Sequence, residues 1–577
     1  MDIKIKRHSL AHIMAMAIKE SFPGLKFGMG PAIENGFYYD FEFVKDDKKK
    51  SSEISSNDLP KIEKRMKSII GKNLKFEKKE ISKIEAKKIF KDQPYKLELI
   101  NEIKNQKVST YKCGNFIDLC NGPHIDKTKD ISNDAFCLTK IAGAYWRGNE
   151  ANPMLVRIYG VAFETKKELD KYLKLQEEAE KRDHRKLGKE LDLFSFHKEA
   201  PGMPFFHPKG MIILNILVER WRIIQKKYGY MEVRMPFMLD ENLWKQSGHY
   251  DHYKDSMFFI KTNDKKLALR PMDCPGTILF YKEDIRSYND LPLKWSELGT
   301  VFRNEKSGEL NGLFRAQQIT QDDAHIFISE KMIEKEISEV LKIIENIYAP
   351  FNIEKKIFLS TRPDNAMGNV KIWNKAEKAL KNALKKNNIK YGIKEKDGAF
   401  YGPKIDIEIC DSLKRTWQTG TIQLDFFMPE KFNISYVDEK GKKKRPVIIH
   451  RALMGSLERF IGIITEHYAG AFPFWLSPIQ VSIIPVSEKH IKYAKKIEDS
   501  LLALDFRTEL KDENETLSKK IREGEIQKTP YLLVVGDKEI ETESVSVRER
   551  KKGNVGKIKI TKFLEKIKKL QKEKKSQ

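Results

Sequence analysis

The chain has 577 residues, 40% of them hydrophobic, and its 108 lysines and arginines exceed its 83 aspartates and glutamates by 25. This length predicts about three to five domains and excludes a single small binding module, and the hydrophobic content excludes bulk disorder. The excess positive charge favours a polyanionic partner, whether nucleic acid, an anionic membrane surface or nucleotide phosphates.

The cysteines and the apolar runs bear on the compartment. Five scattered cysteines make no disulfide framework, which favours a reducing, cytoplasmic compartment. No apolar run reaches about 18 residues, so no membrane-spanning helix is predicted. Basic residues precede the apolar run Leu10–Ile18, as in a short signal peptide, but His8 and His12 interrupt the pattern and Lys19 follows it. The segment is predicted to be a cytosolic amphipathic helix.

The first two predicted segments are a domain and a linker. Residues 1–165 mix strand-like and helical patterns, which predicts an α+β domain with a buried strand at Ile158–Phe163. The dense polar pattern of 166–190 predicts a solvated connecting helix, so the linker is placed at 166–195.

The second predicted domain, 196–472, is rich in strands. Its predicted helix is Met211–Tyr228, and its predicted strands are Tyr230–Pro236, Val301–Glu305, Ala316–Thr320, Ile405–Ile409 and Thr421–Phe427. A polar loop, 306–315, joins two of these strands. Such loops outnumber β–α–β crossovers, which predicts an antiparallel sheet.

The third predicted domain, 473–577, alternates strands and helices. Its predicted strands are Gln480–Val486, Phe506–Leu510, Tyr531–Val535 and Val545–Arg548, with helices at about 488–504 and 515–526 between them. This order predicts a small α/β domain. The tail 551–577 has 11 lysines and 2 glutamates, a local charge of +9, and is either a solvated helix end or a surface that faces a polyanion.

Two histidine and cysteine motifs lie in the first domain. His8 and His12 are four residues apart, so both imidazoles share one helix face. Cys120 and His124 form the second motif, with Asp118 just before it. These residue types suit a zinc site, and they equally suit a hydrolytic pocket that positions a water.

Three further motifs lie in the second domain. Arg303 with Glu305 at a strand end can grip a phosphate and read an adenine amino group, although such pairs are usually surface ion pairs. Arg459 on an apolar helix needs an anion or an internal salt bridge. Cys274, His325 and His450 match no local metal pattern, yet three protein ligands with one open position are typical of a functional zinc.

Taken in order from residue 8 to residue 548, these motifs resemble the threonyl-tRNA synthetase family of class II aminoacyl-tRNA synthetases. Three class signatures are matched by Tyr230–Pro236, Phe302–Glu305 and Gly455–Arg459, and the more specific stretches are Arg270–Gly276, Thr320–Phe327, Trp417–Phe426 and Arg445–His450. The resemblance covers essentially the whole chain. It implies a multidomain α+β and α/β fold with an α+β editing domain, a class II catalytic domain built on an antiparallel sheet, and an α/β anticodon-binding domain.

The resemblance also implies which residues form the synthetic site. One Zn²⁺ per subunit would be held by Cys274, His325 and His450, and Mg²⁺ would accompany ATP. The implied catalytic residues are Arg303, Arg459 and Lys404. The implied ATP-binding residues are Arg303, Glu305, Arg315, Gln418, Thr421 and Arg459. The implied threonine-binding residues are Met272, Gln321, Asp323, Tyr401, Gln423 and Ser456.

Editing and tRNA recognition are implied in the same way. Hydrolysis of mischarged seryl-tRNA would use His8, His12, Lys96, Tyr111, Asp118, Cys120 and His124. The anticodon would be read by Asn514, Glu539 and Arg548. The implied partners are tRNA(Thr), ATP, L-threonine and a second copy of the chain in a homodimer, with no membrane.

The sequence departs from the family pattern at several places. A ubiquitin-like domain usually precedes the editing domain, and His8 stands so near the start that this domain is expected to be absent or outside the chain. Asp273 replaces a usual Asn, Thr277 replaces a frequent His, and Gln317 and Gln318 replace Arg-Gly. These changes bear on how the 3′ end of tRNA is handled.

Three alternatives remain beside a threonine–tRNA ligase with editing. The first is a synthetase whose editing function is degraded, and the second is a non-catalytic tRNA-binding regulator built on a synthetase fold. The third is a metal-dependent hydrolase inferred from the first-domain motifs alone. Intact arginines and a complete Cys/His/His set argue against the regulator, and the hydrolase leaves residues 196–577 unexplained.

Overall fold

The computed structural model describes residues 2–22, 24–43 and 54–573. They divide into two compact units, Met1–Glu177 and Glu178–Gln577, so the boundary between the units falls inside the predicted linker. None of the helices described is long and apolar enough to cross a lipid bilayer.

The first unit is built around its N-terminal helix. Its helices are α1 (Ile3–Ser21), α2 (Leu59–Gly71), α3 (Lys83–Ile89) and α4 (Pro94–Glu102), and its strands are β1 (Lys26–Phe27), β2 (Ala32–Ile33), β3 (Gly36–Glu42), β4 (Phe76–Ser82), β5 (Lys107–Cys113), β6 (Phe116–Leu119), β7 (Phe136–Tyr145) and β8 (Met154–Ala162). One antiparallel sheet has the order β1-β3-β8-β7, with β2 on β3, and the other has the order β4-β5-β6. The predicted α+β architecture and the strand at Ile158–Phe163, which lies largely in β8, are confirmed.

The predicted N-terminal helix is present, but its amphipathic character is wrong. Every residue from Ser9 to Ile18 is buried, on all faces of α1. The helix packs against α2 on one side and against β2 and β3 on another. A helix that is apolar all round is a core helix, and His12 is therefore carried into the interior.

The predicted connecting helix is two helices, α5 (Lys166–Arg182) and α6 (His184–Glu190). Asp183 lies between them, and its carboxylate accepts a hydrogen bond from the Arg185 backbone N–H at 2.8 Å, which begins a new helix. Helix α5 is solvated as predicted, since Leu169 is its one buried residue among those described. In α6, His184 and Leu187 are buried, so the prediction of a solvated helix is wrong for that half.

The second unit begins with a large antiparallel sheet. The helices of this part are α7 (Pro208–Lys227), α8 (Glu241–Ser247), α9 (His249–Tyr253), α10 (Cys274–Tyr281), α11 (Ile333–Tyr348), α12 (Val370–Lys386), α13 (Met428–Lys431) and α14 (Leu457–His467). Its strands are β9 (Phe194–Ser195), β10 (Phe205–Phe206), β11 (Met231–Glu232), β12 (Met238–Asp240), β13 (Phe259–Lys261), β14 (Lys266–Leu269), β15 (Arg286–Ser287), β16 (Leu293–Phe302), β17 (Gln318–Ile328), β18 (Glu354–Ser360), β19 (Gly392–Lys394), β20 (Lys404–Cys410), β21 (Thr416–Asp425), β22 (Tyr436–Val437), β23 (Lys443–Lys444) and β24 (Val447–Ser456).

The sheet order confirms the predicted antiparallel architecture. The described strands run β11-β16-β17-β24-β21-β20-β18-β19, and the pairs are antiparallel except at the two ends. β16 and β17 extend away from the predicted loop, so that each is longer than expected. The predicted strand Tyr230–Pro236 is reduced to β11, which pairs in parallel with β16.

Alternation along these strands separates a core face from a polar face. Side chains at every second position point to the same face of a strand. The core side carries the buried residues Ala324, Ile326, Leu359, Ile405, Ile407, Ile422, Leu424 and Ile449. The positions between them carry polar side chains, and the functional site is built on these.

The third part confirms the predicted α/β domain. Its strands are β25 (Val481–Pro485), β26 (Thr508–Leu510), β27 (Tyr531–Val535), β28 (Ser544–Glu549) and β29 (Gly553–Lys559), and its helices are α15 (Ile491–Leu502), α16 (Leu517–Ile526), α17 (Asp537–Glu541) and α18 (Ile560–Glu573). The strand order is β26-β25-β27-β28-β29, with the first three parallel. In the basic tail, α18 places Phe563 and Ile567 in the domain core. Residues 574–577 lie outside the described part.

Candidate functional site

One row of the sheet brings together four predicted site residues and Ser360, which was not predicted. The residues opposite one another in register are Ser360, Lys404, Gln423, His450 and His325, on β18, β20, β21, β24 and β17. The neighbouring row brings together Asp406, Thr421, Ala452 and Asp323. Residues far apart in sequence are therefore adjacent because antiparallel pairing fixes them opposite one another.

The predicted metal ligands form a buried cluster. Cys274 begins α10, and its sulfur and one nitrogen each of His325 and His450 all lie within 4.8 Å of one another. His450 Nε2 lies 2.9 Å from Asp425 Oδ2, which orients that ring. His325 Nε2 is buried without a hydrogen-bond partner among the described residues.

This donor set fits a zinc ion. Two imidazoles and a thiol are the usual ligand types for Zn²⁺, and three of them leave one position open for a substrate. Burial raises the pKa of the Cys274 thiol well above its ordinary value, so the sulfur stays protonated unless a cation is present. A bound cation favours the thiolate and gives the orphaned His325 nitrogen a partner.

His249 lies beside this cluster and was missed in the sequence. Its Nε2 is 3.1 Å from Met272 Sδ and 3.8 Å from Cys274 Sγ, and its Nδ1 is 2.8 Å from Ser247 Oγ. The residue is fully buried, and burial lowers its pKa to about 3. A lone histidine in no motif gives no sequence signal for this position.

The predicted threonine-binding residues surround the cluster. The Tyr401 hydroxyl donates a hydrogen bond to Gln423 Oε1 at 2.6 Å, and its ring lies 5.4 Å from that of His450. Burial, and then the neighbouring Asp273 carboxyl, raise the pKa of Asp323 well above its ordinary value. Burial also raises the pKa of Asp273, to about 7, beside Arg270 at 3.1 Å. A cationic amine that entered this pocket would favour the ionised form of these carboxyls and lower their pKa.

All six predicted ATP-binding residues line one cleft of about 230 Å³. The residues on its walls include Arg303, Glu305, Phe314, Arg315, Gln321, Gln418, Thr421, Ser456 and Arg459. Lys404 does not line the cleft. Its ammonium lies 3.1 Å from Asp406 Oδ2, while Gln418 donates to the other oxygen of Asp406 at 2.6 Å.

The cleft is strongly cationic. Arg459 donates from Nε to the Phe314 carbonyl at 2.9 Å, and burial, followed by the nearby Arg303 and Arg315, lowers its pKa. Arg315 pairs with Glu305 at 2.8 Å. Three guanidinium groups around one cavity favour a polyanion such as a triphosphate, which relieves their mutual repulsion.

The first unit holds a second cluster. Sγ of Cys120 lies 3.3 Å from both His8 Nε2 and His124 Nε2, and a nitrogen of His12 completes a group whose ligand atoms lie within 4.8 Å. His8 donates from Nδ1 to the Pro123 carbonyl at 3.2 Å. Burial lowers the pKa of His8, His12 and His124 and raises that of Cys120 to about 11.

In this first-unit cluster, hydrogen bonds on the outer side of two histidines leave their inner nitrogens unprotonated. Ser9 donates its hydroxyl proton to Ile5, so its oxygen accepts from His124 Nδ1 at 3.0 Å. His8 and His124 therefore each present an unprotonated Nε2 toward the single thiol of Cys120. Such a pocket can activate and hold a water or accept a metal ion.

A buried charge network supports this cluster. Lys96 Nζ lies 2.5 Å from Asp118 Oδ1, and Asp118 Oδ2 accepts from the Tyr39 hydroxyl at 2.6 Å. Tyr111 pairs in register with Asp118, and its ring lies 4.5 Å from that of His124. All seven residues predicted for this site are thus brought together, and Tyr39, on β3, is an eighth that carried no sequence signal.

The three predicted anticodon residues occupy different places in the α/β domain. Asn514 is exposed in the loop after β26, and Glu539 lies in α17 after β27, where its carboxylate accepts from the Gly536 N–H at 3.1 Å. Arg548 pairs in register with Leu532, near the beginning of β27, and its side chain lies 3.0 Å from Glu525. The register therefore places Asn514 and Glu539 at the edge formed by the carboxyl ends of the parallel strands, and Arg548 toward the other end.

Comparisons with known proteins match each part of the chain. Residues 256–468 match the tRNA synthetase class II core domain (G, H, P, S and T), residues 480–570 the anticodon binding domain, and residues 108–159 the second additional domain of threonyl and alanyl tRNA synthetases. A threonine–tRNA ligase of Caldanaerobacter subterraneus is 51% identical over 98% of this chain and 87% of its own length. One from Thermotoga maritima is 51% identical over 94% and 84%.

Solved structures show the same fold. The RNA-binding domain of threonyl-tRNA synthetase from Cryptosporidium parvum is 40% identical, with a TM-score of 0.65, over 67% of this chain and 98% of that one. Prolyl-tRNA synthetase from Giardia lamblia, at 19% identity and a TM-score of 0.56, covers 70% and 81% and shares the fold.

Proposed function

The chain belongs to the threonine–tRNA ligase family of class II aminoacyl-tRNA synthetases, and from that premise we propose how its residues divide the work of activation, transfer and editing. As an aminoacyl-tRNA synthetase it joins threonine to tRNA(Thr) with conversion of ATP to AMP and diphosphate. The observation that carries the assignment of residues is the cationic cleft, which opens beside the buried Cys274–His325–His450 cluster on one face of one sheet.

In the cleft, the arginines hold ATP. Arg303, Arg315 and Arg459 bind the phosphates, with Mg²⁺ accompanying the nucleotide, and Glu305 reads the adenine amino group. Gln418 and Thr421, both bonded to Asp406, shape the wall. The threonine carboxylate attacks the α-phosphate, diphosphate leaves, and the arginines stabilise the charge that develops. A hydroxyl at the tRNA 3′ end then takes the threonyl group from the adenylate.

The amino-acid pocket lies along the sheet row. Cys274, His325 and His450 would hold Zn²⁺, which supplies a Lewis acid able to ligate the amino group and the side-chain hydroxyl that valine lacks. Asp323 accepts a hydrogen bond from the amino group of threonine. Lys404 lies next to Gln423 in register, where a cation can hold the attacking carboxylate. Met272, Gln321, Tyr401, Gln423 and Ser456 are the other residues we place around threonine.

Editing follows from the limits of this pocket. Serine keeps the hydroxyl and lacks one methyl group, a difference worth only about 1–3 kcal/mol, so serine is also charged. We place hydrolysis of seryl-tRNA in the first unit, where His8, His124 and Cys120 converge and Lys96, Asp118 and Tyr111 support them. The neutral imidazoles suit activation of a water.

We also propose the domain limits and the partners. The editing domain spans 1–165, the linker 166–195, the catalytic domain 196–472 and the anticodon-binding domain 473–577, with Asn514, Glu539 and Arg548 reading bases. A second copy of the chain covers the outer edge of β11. Two exposed apolar side chains lie at that edge: Met231 on β11 itself, and Phe280, whose ring lies 4.6 Å from that of Trp295, the residue paired in register with Met231. The free cysteines fit a cytoplasmic location.

Two assays test the function. Threonine-dependent exchange of diphosphate into ATP should occur with the wild-type chain, and its absence would overturn the assignment of the cleft. Pre-formed seryl-tRNA should be hydrolysed, and the double change His8→Ala with His12→Ala should abolish this while leaving exchange intact. If the wild-type chain leaves seryl-tRNA untouched, editing is degraded in this protein.

A further inference from the structure

His184, the first residue of α6, is fixed by two partners in the interior of the second unit. Its side chain is 1% exposed. Nδ1 lies 2.7 Å from Glu466 Oε1, and Nε2 lies 3.0 Å from the backbone nitrogen of Leu313. Because the Leu313 N–H can only donate, Nε2 is the acceptor and the proton is on Nδ1, which donates to Glu466.

These bonds exclude a metal at the same place. Asp183, His184 and Glu466 bring ligand atoms within 4.8 Å of one another, as a metal site would. Both nitrogens of His184 are already used, one as a donor and one as an acceptor. No electron pair on the ring is left for an ion, so the ring acts as a bridge between two protein segments.

The segment held by Nε2 is the wall of the ATP cleft. Leu313 and Phe314 lie in the loop between β16 and β17, and the Phe314 ring is 4.1 Å from the His184 ring and 4.3 Å from that of Trp417. The Phe314 carbonyl accepts the hydrogen bond from Arg459, and Phe314 itself lines the cleft. Arg315 is the next residue along the chain.

The loop approaches the imidazole as closely as a glycine allows. Gly312 has a φ of +53°, and a Cβ added there would lie 2.4 Å from His184 Nε2. The loop therefore contacts His184 through a hydrogen bond and a ring contact, and Gly312 permits this close approach because it has no side chain.

Glu466 ties the other side of the bridge to the same helix that carries Arg459. Its Oε1 also accepts from the His184 backbone N–H at 2.9 Å, and its Oε2 accepts from Arg415 at 2.5 Å. Glu466 and Arg459 both lie in α14, two helical turns apart. The bridge therefore joins α6, α14 and the cleft loop.

We propose that His184 is a positioning residue for ATP: it holds the Leu313–Phe314 segment so that Arg459 and Arg315 face the phosphates. The proposal rests on the assignment of the cleft to ATP made above. It gives a function to a linker residue that no motif includes. Loss of the Nε2 acceptor should weaken ATP binding and leave threonine binding unchanged, because the threonine pocket lies along the sheet row and has no bond to this loop segment among the described residues.

Two variants of the full chain separate the roles of the two ring nitrogens. The amide oxygen of His184→Gln can reach the place of Nε2 and accept from Leu313, whereas the amide of His184→Asn can reach only the place of Nδ1 and donate to Glu466. In threonine-dependent ATP–diphosphate exchange, His184→Asn should raise KM for ATP about tenfold. His184→Gln should stay within about threefold of wild type, and KM for threonine should stay within about twofold in both.

His490→Asn is the matched control. His490 is likewise buried, in the α/β domain, and its Nε2 lies 3.2 Å from Asp537 Oδ1, a contact that the shorter asparagine cannot make. This change should lower the unfolding temperature without moving KM for ATP. Gly312→Ala gives a second, independent approach to the same contact and should raise KM for ATP as His184→Asn does.

The outcomes are distinguishable. Equal KM values for ATP in His184→Asn, Gly312→Ala and wild type would overturn the positioning role and leave the ATP assignment standing. A parallel rise in KM for threonine, or the same rise in His490→Asn, would reduce His184 to a general stabiliser and also overturn it. If the wild-type chain shows no exchange at all, the assignment of the cleft fails first, and the inference fails with it.

Discussion

Single side chains set the chemistry of the Cys274–His325–His450 cluster because burial removes water as a competing partner. An imidazole nitrogen with no partner, such as Nε2 of His325, is costly in a dry interior, and burial keeps the neighbouring Cys274 thiol protonated by raising its pKa. A cation that takes both removes the cost. The same principle operates in the first unit, where Lys96 compensates the buried Asp118 carboxylate.

Removing the thiol should therefore remove the metal. We expect Cys274→Ala to lose bound zinc and to lower ATP–diphosphate exchange by more than about 100-fold, since loss of an outer partner of a metal ligand already costs about 10–100-fold. Zinc per chain is measured by mass spectrometry beside the exchange rate. Cys410→Ala, which removes another buried thiol, should keep both. Exchange that persists after complete removal of zinc would contradict the metal assignment.

Removing the cation from the buried pair in the first unit should disable editing alone. Lys96→Met leaves Asp118 with two neutral partners, the Tyr39 hydroxyl at 2.6 Å and the His12 ring at 3.7 Å, and breaking such a buried pair costs about 3–5 kcal/mol. We expect slower hydrolysis of seryl-tRNA and faster hydrogen exchange in α1, with unchanged threonine activation. Lys112→Met, at an exposed position of β5, is the control. Normal hydrolysis by Lys96→Met would show that Asp118 needs no cation.

At the scale of residues, motifs identified more of the site residues than the spacing of residues along the chain did. The seven first-unit residues were predicted from two short motifs and a family resemblance, and they do converge. Separations of 51 and 125 residues said little about the metal cluster, because strand register, which a single sequence does not display, brings His325 opposite His450. Tyr39, His184 and His249 belong to no motif and act through contacts made only after folding.

At the scale of elements, turns and helix ends aim these side chains. Ser456 ends β24 and caps α14, so that its hydroxyl accepts from the Arg459 N–H at 3.2 Å and fixes the start of the helix that carries this arginine. In the first unit, the turn from Cys120 to His124 passes through Gly122, whose N–H donates to Cys120 Sγ at 3.2 Å.

The turn at Gly122 gives a prediction for an element. Gly122 has a φ of +72°, and an added Cβ would lie 2.2 Å from the Tyr111 hydroxyl. We expect Gly122→Ala to move Cys120 and His124 apart and to lower hydrolysis of seryl-tRNA at least about tenfold, with threonine activation retained. Gly148→Ala is the control that separates backbone strain from steric collision. Gly148 also has a positive φ, of +70°, but a Cβ added there meets no atom within 4 Å. Similar losses in the two variants would mean that backbone strain alone is responsible.

Element prediction succeeded where apolar periodicity was clean and failed where burial came from packing. Four of the five strands described in the α/β domain were placed within one or two residues, since continuous apolar runs mark buried strands. The fifth, β29, lies in the basic tail and was missed. The polar pattern of 166–190 hid α6, whose few buried side chains contact segments more than a hundred residues away. Likewise α1 carries polar residues that its pattern assigned to solvent, yet they lie in the core.

At the scale of the whole molecule, the proposed dimer makes a direct prediction. Met231 is 51% exposed on the edge strand β11, and an aspartate there would place a charge in an apolar contact. We expect Met231→Asp to shift the chain from dimer to monomer in sedimentation velocity at micromolar concentration. Ile526→Asp, also at a residue 51% exposed but in the α/β domain, should leave the dimer intact. A wild-type chain that sediments as a monomer would refute the interface.

The two faces of the large sheet have a consequence for protein engineering. Residues that we propose touch the amino acid alternate along the central strands with residues that fill the core, as Gln423 does with Ile422 and Leu424 on β21. A mutant library restricted to Gln321, Thr421 and Gln423 would vary residues that we propose contact the substrates, and all three lie outside the hydrophobic core. Selection for a new amino acid can then proceed without a simultaneous search for foldability.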